Sequence, residues 1–209
     1  MNDLRVARFL GRFPGAARLA AVWHLRRMNA SPRGSRRVEE ARAAVEWFER
    51  ARLRERDEYG DLLLQSQIAP AALEAGDRDK AERYARRILG TPDAARRAGL
   101  PEGYHGREPA YIGHIVFGKC AMIGGDVDSA DQHLRDAAAA VVPSPILKTL
   151  GPDTDLASQL LAVGRRESVL SYLESFRKIW KRPLGGPTLD AWIRDVREGR
   201  PWPPKDVAS

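Results

Sequence analysis

The sequence predicts an all-α protein in which antiparallel helical hairpins follow one another behind an amphipathic helical arm. Three observations predict this fold class. Long stretches of the 209-residue chain contain no proline, and each stretch is long enough for a helix or a helical hairpin. Apolar residues recur at helical spacing, and no segment alternates apolar and polar residues as a half-buried strand does. A short turn-containing segment also occurs three times along the chain.

The first 37 residues carry the positive charge of the chain. They hold nine arginines and one acid, Asp3, and so contribute +8, whereas the formal net charge of the whole chain is +7. The other residues together are therefore almost neutral. Apolar side chains alternate with the arginines, and the principal ones are Leu4, Phe9, Leu10, Phe13, Leu19, Val22, Trp23 and Leu25. Residues 1–34 are thus predicted to form a basic amphipathic arm.

Several interpretations of this arm remain open. Its helices could cap one end of the fold with their arginines in solvent, lie on an anionic membrane surface, or act as a targeting peptide. The arm could also contact phosphates on nucleic acid, but this interpretation is less expected than the membrane, because the basicity is confined to one end of the chain. A membrane or phosphate surface would be contacted by Arg8, Arg12, Arg18, Trp23, Arg26 and Arg27.

A linker and a long amphipathic helix follow the arm. Residues 31–35 read Ser-Pro-Arg-Gly-Ser, and Ser35 is a candidate N-cap for the helix behind it. Glu46 and Arg50 are four residues apart and predict an ion pair on the outer face. A helix of about five turns is predicted by the apolar residues at helical spacing, namely Val38, Ala41, Ala44, Val45, Trp47, Phe48 and Ala51.

Three segments share a glycine-containing turn. Residues 72–81 and 121–130 align without a gap at a shift of 49, and residues 160–169 form a weaker copy a further 39 positions on. The turn glycines are Gly76, Gly125 and Gly164, and the small residues five positions later are Ala81, Ala130 and Val169. Glycine can adopt the left-handed conformation that ends a helix. Each copy therefore predicts a helical hairpin, and hairpins bury their apolar faces by stacking.

The second copy resembles the tetratricopeptide repeat. The residues at the spacings that this repeat favours are Gly118, Ala130, Leu134 and Ala137, with Pro143 near the usual terminal proline. The resemblance implies a right-handed α-solenoid whose first helices line a concave binding surface. It predicts a repeat domain over residues 35–200, followed by a proline-rich tail over residues 201–209.

The C-terminal part of the chain, residues 111–203, also resembles an uncharacterised group of bacterial tetratricopeptide-like proteins. The segments that carry this resemblance are Gly113, Gly118, Gly125-Asp126, Gly151-Pro152, Leu160-Leu161, Val169 to Glu174, Lys178 to Trp180, Leu189 to Trp192 and Gly199 to Pro201. In that group the segment at 111–114 reads His-His-Gly-Asn, whereas here Tyr111, Ile112 and His114 depart from it and Gly113 is kept. The resemblance implies no particular activity.

The residues that usually carry chemistry show no catalytic or metal-binding spacing. No two of the four histidines, His24, His105, His114 and His133, are three or four apart, so we predict no metal site and no cofactor. Phosphate-binding glycine motifs and the Gly-x-Ser-x-Gly motif do not occur in the sequence. Cys120 is predicted to be a small buried residue. The paired acids at 126 and 128 and at 153 and 155 are predicted to cap helices.

These features predict a non-catalytic scaffold that binds a protein or peptide in the groove of its hairpins. The polar residues expected to line or edge that groove are Ser66, Tyr111, His114 and Lys119. One alternative is a peripheral membrane protein that docks through the arm. Another is an enzyme or accessory factor of a metabolic or peptide-modifying pathway. With one cysteine and no spanning apolar run, the expected location is the cytoplasm, including its membrane periphery if the arm docks there.

Overall fold

The computed structural model describes residues 16–32, 34–91, 107–144, 147–148, 151–180 and 185–202. All regular structure within these ranges is helical, and no strand occurs in them. The prediction of an all-α protein is therefore confirmed for this part of the chain. Two compact units, Met1–Arg87 and Ile88–Ser209, divide the protein.

The first unit is built on three helices and most of a fourth. They are α1 (Ala16–Ala30), α2 (Ser35–Arg52), α3 (Glu58–Glu74) and α4 (Arg78–Leu89). Helix α1 packs along α2, and α2 packs on α3. The structure confirms the predicted exposed ion pair between Glu46 and Arg50, with 3.4 Å between its charged atoms. Helix α3 continues through Pro70.

The predicted N-cap of α2 is wrong by one residue. Ser35 is the first helical residue, and Gly34 occupies the cap position without any side-chain hydrogen bond. The φ of Gly34 is 150°, a conformation that glycine adopts at little cost because it has no Cβ. Backbone geometry rather than side-chain capping thus sets the start of α2.

The second unit contains the remaining helices of the described chain. They are α5 (Arg107–Ile123), α6 (Val127–Ala139), α7 (Thr154–Ala162), α8 (Arg166–Ser175) and α9 (Gly186–Glu198), with a 3₁₀ turn at Phe176–Lys178. Helix α5 packs on α6, and α7 contacts α5, α6 and α8. Helix α6 also packs on α8, which packs on α9. The core of this unit is centred on fully buried side chains, among them Leu134, Leu156, Leu160, Tyr172, Leu173 and Phe176.

The three sequence-similar segments form nearly identical turns. The glycines at 76, 125 and 164 have φ of 80°, 78° and 86°. The residue after each glycine donates its backbone N–H to the carbonyl five positions earlier, at 2.9 Å in all three turns, which is the Schellman arrangement. The small residues that follow, Ala81, Ala130 and Val169, are fully buried. The predicted left-handed glycine is confirmed in each turn.

Three tryptophans close the C-terminal end of the second unit. Trp180, Trp192 and Trp202 are all buried, and their rings meet in sequence, with centroids 5.6 Å and 5.8 Å apart. The three rings thus anchor the end of the chain to the core of this unit. Among the helices described above, none combines the length and the apolar character that would let it traverse a lipid bilayer.

Candidate functional site

Two histidines and one aspartate meet between α5 and α6. His114 lies on α5, whereas His133 and Asp136 lie on α6. The two helices form an antiparallel pair around the turn at Gly124-Gly125, with His114 ten residues before the turn and His133 eight residues after it. At 1.5 Å of rise per residue these distances along the two helices are nearly equal. The hairpin therefore brings the two imidazoles to the same level.

The three side chains are close enough to share a ligand. The Nδ1 atoms of His114 and His133 are 3.2 Å apart, and Nδ1 of His114 is 3.9 Å from Oδ2 of Asp136. One ligand atom from each residue lies within 4.8 Å of the other two, and all three residues are half-buried. The Phe117 ring stacks on that of His133, with centroids 5.2 Å apart and 16° between their planes.

The carboxylate of Asp136 is oriented by a neighbour on its own helix. Gln132 donates a hydrogen bond from Nε2 to Oδ1 of Asp136 at 3.0 Å. This bond occupies one carboxylate oxygen, while the other oxygen is the one closer to His114. A hydrogen bond of this kind fixes which oxygen a carboxylate presents to a shared ligand.

Burial sets the protonation of the two imidazoles. Partial burial lowers the pKa of His114 below its usual value, and the nearby Asp136 opposes that change only in part. Burial likewise lowers the pKa of His133, against the opposing charges of Asp136 and Asp126. Both rings are therefore neutral at neutral pH. A neutral imidazole carries one nitrogen lone pair, which can accept a hydrogen bond or bind a metal.

Histidine spacing within single helices does not predict this cluster, because its two histidines lie on different helices. His114 and His133 are 19 residues apart and meet only because the chain reverses between them. The available signal was the pair His133 and Asp136, three residues apart on one face of α6, opposite a histidine at matching height on α5.

A second polar cluster joins α5, α7 and α8. The hydroxyls of Tyr111 and Tyr172 lie 2.7 Å apart, and the backbone N–H of Asp153 donates to both, at 3.1 Å and 2.7 Å. Both tyrosines are buried. Burial is the main cause that raises the pKa of each hydroxyl, and the charge of Asp153 adds to it.

Lys119 belongs to the same cluster. Its Nζ lies 2.7 Å from Oδ2 of Asp153 and 3.7 Å from Oδ2 of Asp155. Asp153 is also the N-cap of α7 and accepts the backbone N–H of Leu156. The predicted capping role of Asp153 is confirmed, as is that of Asp126 at the start of α6. Lys119 thus ties α5 to the start of α7.

The four residues predicted to line a groove have different environments. Ser66 is buried in the first unit and donates its hydroxyl to the carbonyl of Leu63 at 2.7 Å. In the second unit Tyr111 is buried in the tyrosine cluster, whereas His114 and Lys119 keep about a fifth of their side chains exposed, at 20% and 18%. The structure thus brings Tyr111 and Lys119 into one cluster through Asp153. It buries Cys120, as predicted.

The first unit contains an open cleft of about 570 Å³ between α2 and the turn that joins α3 to α4. The residues that line it are Arg42, Val45, Glu46, Ala72, Ala75, Gly76, Asp77, Arg78, Asp79 and Lys80. Its apolar floor is buried, and its rim carries charges of both signs. Such a mixed lining fits a peptide or a helix that carries both apolar and charged side chains.

Helix α1 presents apolar side chains to solvent on one face. Leu19 is 74% exposed, Trp23 50% and Val22 40%, and the exposed Arg26 continues this face by helical spacing. The guanidinium of Arg27 lies 4.3 Å from the centre of the Trp23 ring. We call Leu19, Val22 and Trp23 the exposed face of α1.

The opposite face of α1 is bound to the unit. Ala17, Ala21 and Met28 are buried, and Glu40 of α2 pairs with both His24 and Arg27, each at 2.7 Å. Arg18, at the start of α1, forms an ion pair with Glu55. This half of the predicted arm thus packs on α2. Arg8 and Arg12 lie outside the described residues.

No protein-family model, curated protein or solved structure matches this chain. The function is therefore argued from three features of the structure: the histidine cluster of the second unit, the cleft of the first unit and the exposed face of α1.

Proposed function

We propose that the protein is a non-catalytic scaffold that binds a protein or peptide partner through its helical hairpins. The observation that carries this proposal is the open cleft of the first unit, about 570 Å³ in volume. A cleft of that size accommodates a few side chains of an extended peptide or one face of a partner helix.

The lining of the cleft supports a peptide or protein partner. Val45, Ala72 and Ala75 offer a buried apolar floor, which favours an apolar side chain of the partner. Arg42 and Glu46 are exposed at its rim and can select a partner by the sign of its charges.

The tetratricopeptide-like arrangement of the hairpins is part of the same proposal. The three equal turns and the packing of α7 on α5, α6 and α8 support it. Hairpins that share one turn geometry are suited to stacking in register, because each buries its apolar face against the next.

A charge reversal at the rim of the cleft tests the proposal. The full chain, its Arg42→Glu variant and its Arg36→Glu variant are used to capture partners from a lysate of the source cells. Arg36 is exposed on the same helix and lies outside the cleft, so Arg36→Glu is the matched control. We expect Arg42→Glu to lose one partner that Arg36→Glu and the wild type both capture. The purified partner should bind Arg42→Glu at least about tenfold more weakly than it binds the wild type. Identical capture by all three proteins would contradict the proposal.

A second candidate function is favoured by the exposed face of α1. Leu19, Val22 and Trp23 combine with Arg26 in the pattern by which amphipathic helices lie on anionic membranes. Apolar side chains would enter the acyl boundary while arginine contacts the headgroups. In this alternative the protein is a peripheral membrane protein that docks through α1 and the residues before it.

Co-sedimentation with vesicles that contain about 30% phosphatidylserine tests the second candidate. Leu19→Glu places a charge on the exposed face, whereas Leu53→Glu makes the same change at a residue that is 87% exposed elsewhere in the first unit. We expect the first variant to lose vesicle binding and the second to keep it. Point variants are preferable to deleting residues 1–34, since deletion would uncover the side chains that α1 buries. Equal recovery of both variants would rule out docking through this face.

A further inference from the structure

The histidine cluster between α5 and α6 has the composition of a metal site. Two imidazoles and one carboxylate form the ligand set of many divalent transition-metal sites, in which water or another ligand fills the open positions. The set comes from two helices of one hairpin, so its geometry depends on the hairpin itself.

The distances agree with that chemistry. Zn²⁺ binds imidazole nitrogen at about 2.0–2.1 Å, so two nitrogens on one ion lie about 2.8–3.4 Å apart at octahedral to tetrahedral angles. The Nδ1 atoms of His114 and His133 are 3.2 Å apart. Oδ2 of Asp136 lies 3.9 Å from Nδ1 of His114, and one ligand atom from each of the three residues lies within 4.8 Å of the other two.

The surroundings of the cluster have the features that support metal ligands. Gln132 holds one carboxylate oxygen of Asp136 and leaves the other oriented towards His114. Phe117 stacks on His133 and restricts the rotation of its ring. Ligands held in this way lose little conformational entropy on binding, and outer-shell contacts of this type typically contribute about 10–100-fold to metal affinity.

The cluster is open on one side. The side chains of His114 and Asp136 are 20% and 41% exposed, which gives an ion a path from solvent and leaves room for water as a further ligand. We propose that His114, His133 and Asp136 bind one divalent first-row transition-metal ion of the Zn²⁺ type between α5 and α6. This site goes beyond the proposed scaffold function and does not depend on it.

Zinc titration of the full chain tests the proposal. The protein is prepared without a polyhistidine tag, stripped with a chelator and titrated with ZnCl₂ in a calorimeter. We expect one Zn²⁺ per chain, and at least about 100-fold weaker binding for His133→Gln and for Asp136→Asn, because the first removes an imidazole ligand and the second removes the carboxylate charge. Gln132→Ala should weaken binding by about tenfold. His24→Gln is the matched control, since His24 also contacts a carboxylate, that of Glu40, at 2.7 Å.

A measurement on the unaltered protein keeps the test independent of how the variants fold. In NMR spectra that detect the imidazole nitrogens, Zn²⁺ should shift the signals of His114 and His133 and leave those of His24 unchanged. Thermal unfolding should also move to higher temperature with Zn²⁺, because the ion binds the folded chain. Binding of no Zn²⁺, or shifts at His24 with none at His114 and His133, would overturn the proposal and leave a plain hydrogen-bonded histidine pair.

Discussion

Two buried tyrosines of the second unit connect three of its helices through their hydroxyl groups. The sequence predicted Tyr111 at the edge of a binding groove, whereas the structure buries it beside Tyr172. In the structure the hydroxyls contact each other and receive the backbone N–H of Asp153. They therefore hold the start of α7 against α5 and α8.

The tyrosine pair predicts a loss of stability in alkali. Both pKa values are raised in the folded protein, whereas unfolded tyrosines ionise near pH 10. The stability due to the neutral pair is thus present below about pH 10 and is lost as the pH rises towards the folded pKa values, by up to about 1.4 kcal/mol per pH unit for each tyrosine. Denaturant unfolding from about pH 8 to about pH 11 measures this loss.

The control for this prediction is Tyr111→Phe, which keeps the ring and removes one ionisable hydroxyl. Its free energy of unfolding should fall less steeply with pH than that of the wild type. Equal slopes for the two proteins would contradict the prediction.

Among the elements, the hairpin turns show the clearest link from sequence to structure. Gly125 has a φ of 78° and nothing lies within 4 Å of a Cβ added to it. Replacing Gly125 by alanine therefore costs stability only through the left-handed backbone conformation, and not through a steric clash. We expect Gly125→Ala to lower the free energy of unfolding by about 1–2 kcal/mol, measured by denaturant titration.

The neighbouring Gly124 supplies the control for this turn. Its φ is not positive, so Gly124→Ala should change stability by less than about 0.5 kcal/mol. Similar losses for Gly124→Ala and Gly125→Ala would show that the left-handed conformation does not carry the effect.

Helix α1 depends on Glu40 of α2. This side chain is 10% exposed and pairs with His24 and Arg27, and its removal leaves both without their carboxylate. We expect Glu40→Ala to cost about 1.5–3 kcal/mol and to speed amide hydrogen exchange across α1. Glu46→Ala is the control, because Glu46 forms an exposed pair with Arg50 worth about 0.5 kcal/mol or less. Unchanged exchange in α1 of Glu40→Ala would contradict the prediction.

At the scale of the whole molecule, the high sequence pI of about 9.9 describes one end of the chain. The structure describes five of the nine arginines in residues 1–37. Three of these five form ion pairs within the first unit: Arg18 with Glu55, Arg27 with Glu40 and Arg37 with Glu74. These pairs reduce the charge that the segment can offer to a polyanion.

We therefore predict weak binding to nucleic acid despite the net charge of +7. A random DNA duplex should show no mobility shift at micromolar protein concentration in about 0.15 M salt. A shift that weakens steeply as the salt concentration rises would contradict this prediction, because such a dependence marks the release of counterions by several phosphate contacts.

The local structure of this protein follows from short stretches of its amino-acid sequence. Periodicity placed α2, and the repeated glycines identified three helix-ending turns, because helical spacing and a left-handed conformation are properties of a few neighbouring residues. The local sequence did not predict the N-cap of α2 correctly. Gly34 occupies the cap position in place of Ser35 and makes no side-chain hydrogen bond there.

Contacts between side chains of different helices depend on how those helices pack. His114 and His133 are separated by a turn and by 19 residues, and Lys119 finds Asp153 at a separation of 34. Such contacts depend on the register between packed helices, and that register is set by many apolar contacts acting together rather than by any short pattern. For this reason the sequence predicted the hairpins, while the histidine cluster and the burial of Tyr111 emerged only when the hairpins packed.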